Sequence, residues 1–444
     1  MSRSWAATII AAVSLSSSSS SSSEGLAASA AVRLSLEQAL ALAEQRSPLV
    51  ARARQERRVV AAGRVGAAAI LPTNPALSVS VGRRRDVSGS LPPATGPEAV
   101  GHIEQTIEVA HQRGARLAEV ARAVDLALAR ERFATVEARA RARQAYLSVL
   151  IAEQFAESAR LREQLGLQIY NSAKKRLDAG AGSEVELHLA EVERGRLTSE
   201  RVEAELAVAQ ARADLRLLLG LPILMEREAP LELTTPLTRP GLTERGLEEL
   251  VELARARRAD LEALLHARSQ LDAALVRLRR EVVPSPTIYV DIASQQPGQL
   301  YVGAGVGFNV PLWRRRQGEI AQVNAEQGRL LAERDLVERE IAVEVAQAYR
   351  RARARSQESD LWERDVVPAA EANVGLVTEG WRAGKFDLFR VIQASREAGE
   401  ARRRLLEVLG EFWQAVIELD RATGEPGFVF VNTSVNTSVP RGTP

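Results

Sequence analysis

The sequence predicts a mainly α chain with some β. It is read as a duplicated helix–strand–strand–helix–helix unit in which a β-barrel wall continues as an α-helical tube. Three observations carry this reading. Tyr301–Gln322 (YVGAGVGFNVPLWRRRQGEIAQ) passes from strand to helix: Val302, Ala304, Val306, Phe308 and Val310 share one period-2 face, with Tyr301, Gly303, Gly305, Gly307 and Asn309 on the other. Residues 115–165 contain neither Gly nor Pro, enough for a helix of roughly 75 Å. Finally, anchor residues recur at fixed offsets. Arg46, Leu49, Leu71 and Pro72 match Arg258, Leu261, Val283 and Pro284 at 212, and Ala179, Gly180, Ala190 and Gly220 match Ala383, Gly384, Ala394 and Gly424 at 204.

In the first of these stretches Pro311 stops the ladder, and Trp313, Arg314, Arg315 and Arg316 form an aromatic and basic collar of the kind found at a membrane surface. An ordinary soluble strand–turn–helix would fit that stretch equally well.

In chain order, residues 1–30 read as a secretory signal, with Arg3 before an apolar run Trp5–Leu15 and an A-x-A site at Ala28–Ala30. The Ser16–Ser23 tract within it has no physical explanation. The first unit, 31–222, starts with helical spacing from Leu34 to about Ala69, ended by Leu71 and Pro72. Leu77, Val79 and Val81 alternate as a strand, 83–100 is a Gly/Pro/Ser/Arg loop, and Ile103, Ile107 and Val109 mark a second strand. A long helix then meets a Gly turn at Arg176–Leu187 (RLDAGAGSEVEL) and returns through Leu189–Leu219. Residues 223–242 are a Pro-rich linker in which LELTTPL could form a short strand. The second unit, 243–425, repeats the order, with Ile288, Val290 and Ile292 as third strand and Tyr301–Val310 as fourth. The tail 426–444 carries FVFV and a repeated NTSV.

With 444 residues, 45% apolar, the chain can bury ample core. Lys+Arg 59 against Asp+Glu 57 gives no argument for a nucleic-acid partner, and the absence of Cys excludes disulfides, thiolate metal sites and an N-terminal lipidated cysteine. Lysine occurs only at Lys174, Lys175 and Lys385. After the signal no run of about 18 apolar residues exists. Four strands cannot close a membrane barrel, whose smallest common form has about eight. Three copies would supply 3 × 4 = 12, an arrangement that the sequence favours without proving.

The residues VGFNVPLWRRRQGEIAQVNAE, IEQTIEVAHQRGARLAEV, RLDAG, WRAGKFDLFRVIQASRE, LLLGLP and ELDRATG resemble TolC-type outer-membrane efflux proteins over about 34–425. The IEQTIEVAHQRGAR form is most similar to the heavy-metal (cobalt–zinc–cadmium) branch. The resemblance implies a homotrimeric exit duct in the outer membrane of a Gram-negative bacterium. Its 12-stranded barrel would be continued by a helical tunnel into the periplasm. The duct would be joined through a periplasmic adaptor to an inner-membrane RND pump, and would conduct passively with neither catalysis nor cofactor. Loops 83–100 and 294–300 would face outside, and Arg176–Leu187 and Gly380–Arg390 would form periplasmic tips.

By the same resemblance the tips dock the adaptor, which makes Arg176, Leu177, Gly180, Trp381 and Gly384 the contact candidates. The two glycines are also explained by tight helix reversal alone. Family members can narrow the entrance with acidic residues one turn above the tip. Here Glu186, with Glu184 nearby, fits the first-unit position, whereas the second-unit positions are Arg390 and Gln393 instead of aspartates. A ring of acids is therefore in doubt, and a Glu186–Arg390 pair across neighbouring helices is the expected substitute, worth only ~0–1 kcal/mol per pair in a solvated site.

No other motif competes. His102, His111, His188 and His266 show neither i,i+4 spacing nor an HExxH sequence, so no metal ligands are assigned. Arg139, Arg141 and Arg143, like Arg351, Arg353 and Arg355, diverge by about 200° per i,i+2 step and form no single patch; neighbours such as Glu137 make ion-paired faces the expectation. GAGVG lacks a Gly-Lys-Ser/Thr ending, and no nucleophile–base set is visible. Three alternatives remain: a duct for organic drugs or type I protein secretion, a periplasmic coiled-coil scaffold, and an exported hydrolase. The scaffold leaves the alternating strands and their collar unexplained, and the hydrolase has no motif behind it.

Overall fold

A computed structural model describes residues 32–84, 96–221, 231–242, 244–296 and 299–424. The predicted signal 1–30 with its Ser tract, the centre of the first hairpin loop, part of the linker, and the tail 426–444 lie outside the described residues.

The elements run β1 (Val32–Leu34), α1 (Leu36–Arg46), α2 (Pro48–Ala67), β2 (Ala76–Arg84), β3 (Gly96–Thr106), α3 (Gln112–Asp178) and α4 (Glu184–Leu218). They continue β4 (Leu231–Leu233), α5 (Leu247–Arg257), α6 (Ala259–Glu281), β5 (Pro286–Gln296), β6 (Gln299–Phe308), α7 (Gln317–Leu361), α8 (Val367–Arg382) and α9 (Leu388–Thr423). From α1 to α4 and from α5 to α9 the order is the same, apart from a π-helical turn, Trp362–Val366, between α7 and α8. That turn lies just before Pro368, which has no N–H to give to an α-helical ladder.

Three expectations are corrected. The helix expected from Leu34 to Ala69 is two helices. Ser35 and Gln38 form a reciprocal capping box at the start of α1, and the chain breaks at Ser47 because Pro48 forces its predecessor out of the helical region (ψ 133°). The first hairpin loop is shorter than 83–100, since β2 runs to Arg84 and β3 begins at Gly96, with Pro97 near its start where a missing N–H is tolerated. β3 ends at Thr106, so Ile107 and Val109 lie beyond it, and β5 and β6 reach into 294–300.

The long helix exceeds the Gly/Pro-free stretch. It spans 67 residues, about 100 Å at 1.5 Å per residue. Such a helix needs lateral support along its length, and α3 gets it through small residues: Ala129, Ala134, Ala138, Ala142, Ala159 and Ala173 are all buried, allowing neighbouring helices to approach closely.

Near mid-length β1 pairs in parallel with β4, so the short strand suspected in the linker is real and ties linker to N-terminus. Tyr146 of α3 is fully buried beneath them; its hydroxyl donates to Leu34 O (2.9 Å) and accepts from Thr235 N (3.2 Å). Leu40, Ala142, Leu150, Leu215, Trp413 and Ile417 complete this core, and Leu250, Ile341, Val345, Phe412, Val416 and Leu419 form its counterpart in the second unit. Arg143 and Asp420, 2.6 Å apart and nearly inaccessible, cross-link α3 to α9 beside it. The arginine runs dissolve as expected: Arg139 pairs with Glu44, Arg141 with Glu137 (2.8 Å), and Arg143 turns inward.

At one end of the helices β2, β3, β5 and β6 form an antiparallel sheet in that order. Register puts Leu77 opposite Ile103, Ile103 opposite Val290, Ile292 opposite Val302 and Ile288 opposite Val306, so one face is apolar across all four strands. These side chains are exposed in the single chain. The other face holds Ser78, His102, Asp291 and Gly303 in one row and Glu104, Tyr289 and Gly305 in the next. Gly305 is required there, because a Cβ would lie 2.5 Å from the Tyr289 ring.

Candidate functional site

Two regions carry the predicted site residues: the helix turns remote from the sheet and the collar beside it. The remote end is made of two turns with one construction. After α3, Gly180 N–H donates to Leu177 O and Ala181 N–H to Arg176 O; after α8, Gly384 N–H donates to Trp381 O and Lys385 N–H to Gly380 O. Both are Schellman motifs, which require a left-handed residue, and Gly180 (φ 71°) and Gly384 (φ 72°) provide it. Nothing lies within 4 Å of a Cβ built on either glycine, so both turn apices are open. Each next helix is capped alike: Ser183 Oγ accepts from Glu186 N (3.2 Å), and Asp387 Oδ1 from Arg390 N (3.0 Å).

The structure divides the contact candidates. Trp381 is only 3% exposed and packs with Ile169, Ala173, Ala190, Leu388, Val391 and Ile392. It is the keystone under both turns, with no face to offer a partner. Arg176 stacks its guanidinium over that indole (5.4 Å) and donates to the carbonyls of Trp381 (3.4 Å) and Ala181 (3.2 Å), so it staples one turn to the other. Leu177 is half-buried, leaving the glycine apices as the open points. Lys174, Lys175 and Lys385, the chain's lysines, are all exposed at these turns.

The four entrance candidates lie in the opening turns of α4 (Glu184, Glu186) and α9 (Arg390, Gln393), and the predicted ion pair does not form within one chain. Arg390 instead lies over the Phe386 ring at 5.3 Å, and Gln393 donates to Glu397 (3.0 Å). Glu184 and Glu186 occupy the first turn of α4, where the helix dipole favours acids irrespective of any gate.

One electrostatic feature of this end was not visible in the sequence. Glu193 of α4, its side chain 4% exposed, binds Arg196 of its own helix (2.5 Å) and Arg396 of α9 (2.7 Å). Burial alone would raise the carboxyl pKa; the hydrogen bonds from Arg196 and then Arg396 outweigh it and hold Glu193 below the ordinary carboxylate value of 4.5. Glu200, which also binds Arg196, receives Arg162 of α3 at 2.7 Å, so the network spans three helices. Higher up, Arg239 of the linker donates to Asp360 (2.8 Å) and Ser356 O (3.0 Å), just before the π-helical turn, and holds Asp360 below its usual range. Partners 121 residues apart (Arg239 and Asp360) or 203 (Glu193 and Arg396) leave no local signal in a sequence.

At the sheet end the collar follows β6. Trp313 is 83% exposed, and Arg314 and Arg315 are exposed beside it. Arg316 is left-handed (φ 55°) at the N-cap of α7 and pairs with Glu281 (3.3 Å) and Glu319 (2.9 Å). On the polar sheet face His102 Nδ1 lies 2.7 Å from Asp291 and Nε2 3.4 Å from Glu104. The carboxylates sit on opposite ring nitrogens and do not converge. Among the described residues no group of three His, Asp or Glu is placed to hold a metal ion. No described helix is long and apolar enough to cross a membrane.

Residues 250–425 match the model of a family described as outer membrane efflux protein. The chain is 29% identical over 328 residues, 72% of its length and 75% of the relative's, to the cobalt-zinc-cadmium resistance protein CzcC of Cupriavidus metallidurans. Its fold matches CusC (TM-score 0.69, 15% identity, 88% of this chain and 92% of that one). It also matches the CmeC outer membrane channel of Campylobacter jejuni (TM-score 0.68, 13% identity, 88% and 85%).

The Glu193 network gives a pH dependence. The depressed pKa means that its stabilisation is complete above about pH 4.5 and is lost as pH falls through the lower, folded-state value. Amide exchange in α4 and α9 near Glu193, corrected for the intrinsic rate, is expected to be flat from pH 7 to about pH 5 and to rise only once the pH has fallen below the ordinary carboxylate value of 4.5. A rise already complete at pH 6 would contradict it.

Proposed function

We propose that this chain, a TolC-type outer-membrane efflux protein, is the exit duct through which a tripartite system passes heavy-metal cations from the periplasm to the outside. The observation that carries the reading is the sheet: one continuous apolar face exposed in the single chain, two open edges, and long helices leading away from it, α3 alone about 100 Å. Such a sheet suits a barrel wall in lipid, and the helices suit a tunnel reaching into the periplasm. The likeness to a cobalt-zinc-cadmium resistance protein supports metal cations over organic drugs or secreted proteins. Efflux channels are not an enzyme class, and we assign this chain no catalytic step. A duct need not hold the ion it passes, so the missing ligand cluster does not weigh against metal.

Three copies form the duct in this reading, with an adaptor on the tips and an inner-membrane RND pump supplying the energy. The unit boundaries proposed for the mature chain remain 31–222 and 243–425, joined by 223–242. Adaptor contact falls on the open apices at Gly180 and Gly384 with Leu177 at their edge. Arg176 and Trp381 act from inside by fixing the relative position of the two turns. At the entrance Glu184, Glu186, Arg390 and Gln393 gate between neighbouring copies, since Arg390 is not paired with Glu186 inside one. Trp313, Arg314, Arg315 and Arg316 mark the membrane surface.

A deletion strain tested with and without complementation against Zn, Co, Cd, Ni, Cu and Ag salts and an organic drug panel is expected to be sensitised to metals and restored by the gene. Sensitisation to drugs alone would keep the duct and overturn the metal assignment. For the gate, Arg390→Ala is expected to raise single-channel conductance in planar bilayers several-fold. A pair worth ~0–1 kcal/mol matters here only because three copies repeat it, and an unchanged conductance would remove the gate.

A further inference from the structure

We propose that the segment following α9, Phe428–Val431, docks in the cleft between α3, α6 and α7 and so straps the end of α9 to the start of α6. The inference concerns how one chain closes on itself and depends on neither the cargo nor the adaptor.

The cleft has a volume of about 390 Å³. Its floor is one face of α6, with Leu264, Ala267 and Leu271, and its walls carry Leu126 and Phe133 of α3 and Leu330 of α7. Phe133 is 43% exposed there. The acids that line the rim are already matched. Glu326 and Glu333 both bind Arg329 (2.6 and 2.8 Å), and Asp260 binds Arg258 (2.6 Å). The cleft therefore calls for apolar side chains and offers no free carboxylate to a basic ligand.

The chain supplies such side chains at the mouth of the cleft. α9 ends on Gly424, left-handed at φ 73°, and a Cβ built there would lie 3.2 Å from the carbonyl of Arg257 and 3.4 Å from Arg258 N. The end of α9 thus abuts the start of α6, two residues before Asp260, the first α6 residue to line the cleft. Residues 425–444 follow, outside the described residues. In a chain that is 26% charged, 426–440 carry no charge, and Phe428, Val429, Phe430 and Val431 are the apolar run within that stretch.

Reach and length agree. From Asp260 to Leu271 the helix rises about 17 Å, room for about five extended residues. Glu425, Pro426 and Gly427 span about 10 Å, enough to bring Phe428 to the mouth. A second copy would have to deliver an uncharged apolar run to the same place, whereas this one is already tethered there at high effective concentration.

The first unit has the same device in view. α4 is followed by Gly220, also left-handed (φ 62°), whose Cβ would meet Arg46 O at the break between α1 and α2, just as Gly424 meets Arg257 at the break between α5 and α6. The chain beyond Gly220 returns as β4, pairs with β1 and buries Leu231 in the core with Tyr146. Among the described residues the second unit has no counterpart of β4. The segment after Gly424 is the one in position to cover it.

Because the chain has no cysteine, disulfide formation reads the placement in the full-length detergent-extracted protein. Ala267→Cys with Phe430→Cys is expected to close within one chain roughly tenfold faster than Ala267→Cys with Val439→Cys. Equal rates, closure only between chains, or no closure would overturn the proposal. A second measurement needs no cysteine. Phe428→Ser with Phe430→Ser is expected to raise amide exchange across 260–271 roughly tenfold, and Phe428→Leu with Phe430→Leu to leave it near the parent rate. Unchanged exchange in the serine variant, or an equal rise in the leucine variant, would also overturn it. None of these outcomes bears on the duct or on the ion that it carries.

Discussion

The structure depends on an edge that one chain cannot satisfy. β2 and β6 flank the sheet, each with a row of backbone N–H and C=O groups on its outer side. In hydrocarbon each unsatisfied group costs several kcal/mol, so a sheet with an outward apolar face is stable there only if it closes. Four strands are too few for one chain to close, which leaves closure between copies. The apolar register running from Leu77 through Ile103 and Val290 has a partner in lipid only after that closure.

The same constraint explains the duplication. Each unit brings one hairpin to the sheet and one pair of long helical arms leading away from it. The units have diverged where their surroundings differ. The second carries the π-helical turn, clamped from the linker by Arg239 on Asp360. At the far end both reversals have the same backbone, but one places Leu177 and the other Trp381 at the equivalent position. Only Trp381 is large enough to fill the space under both turns. Arginine paired across helices fastens the lower half, as Glu193 with Arg396 and Glu200 with Arg162 illustrate.

Much of this was legible in the chain because it is periodic. Alternation placed all four strands, and the freedom of 115–165 from Gly and Pro announced the long helix. Repeated anchors exposed the duplication. Sequence spacing does not report which side of a turn faces inward, so it does not separate a surface Trp381 from a buried one. Its burial depends on Ile169, Ala190 and Val391 arriving from three other helices. Strand ends were misplaced for a related reason: Pro97 and Gly96 look like loop residues until the ladder to Arg83 and Arg84 accepts them. Position along the helices suggests a Glu186–Arg390 pair, but inside one chain the nearby Phe386 ring takes the guanidinium.

The most direct test of the account is the mass of the detergent-extracted assembly by native mass spectrometry, with the edge strands linked through single cysteines placed on β2 and β6. Three chains per particle, joined β2 to β6 between copies, is the predicted result. A monomer, or an oligomer whose edges fail to cross-link, would contradict closure of the barrel by three copies and with it the reading of the long helices as a shared tunnel.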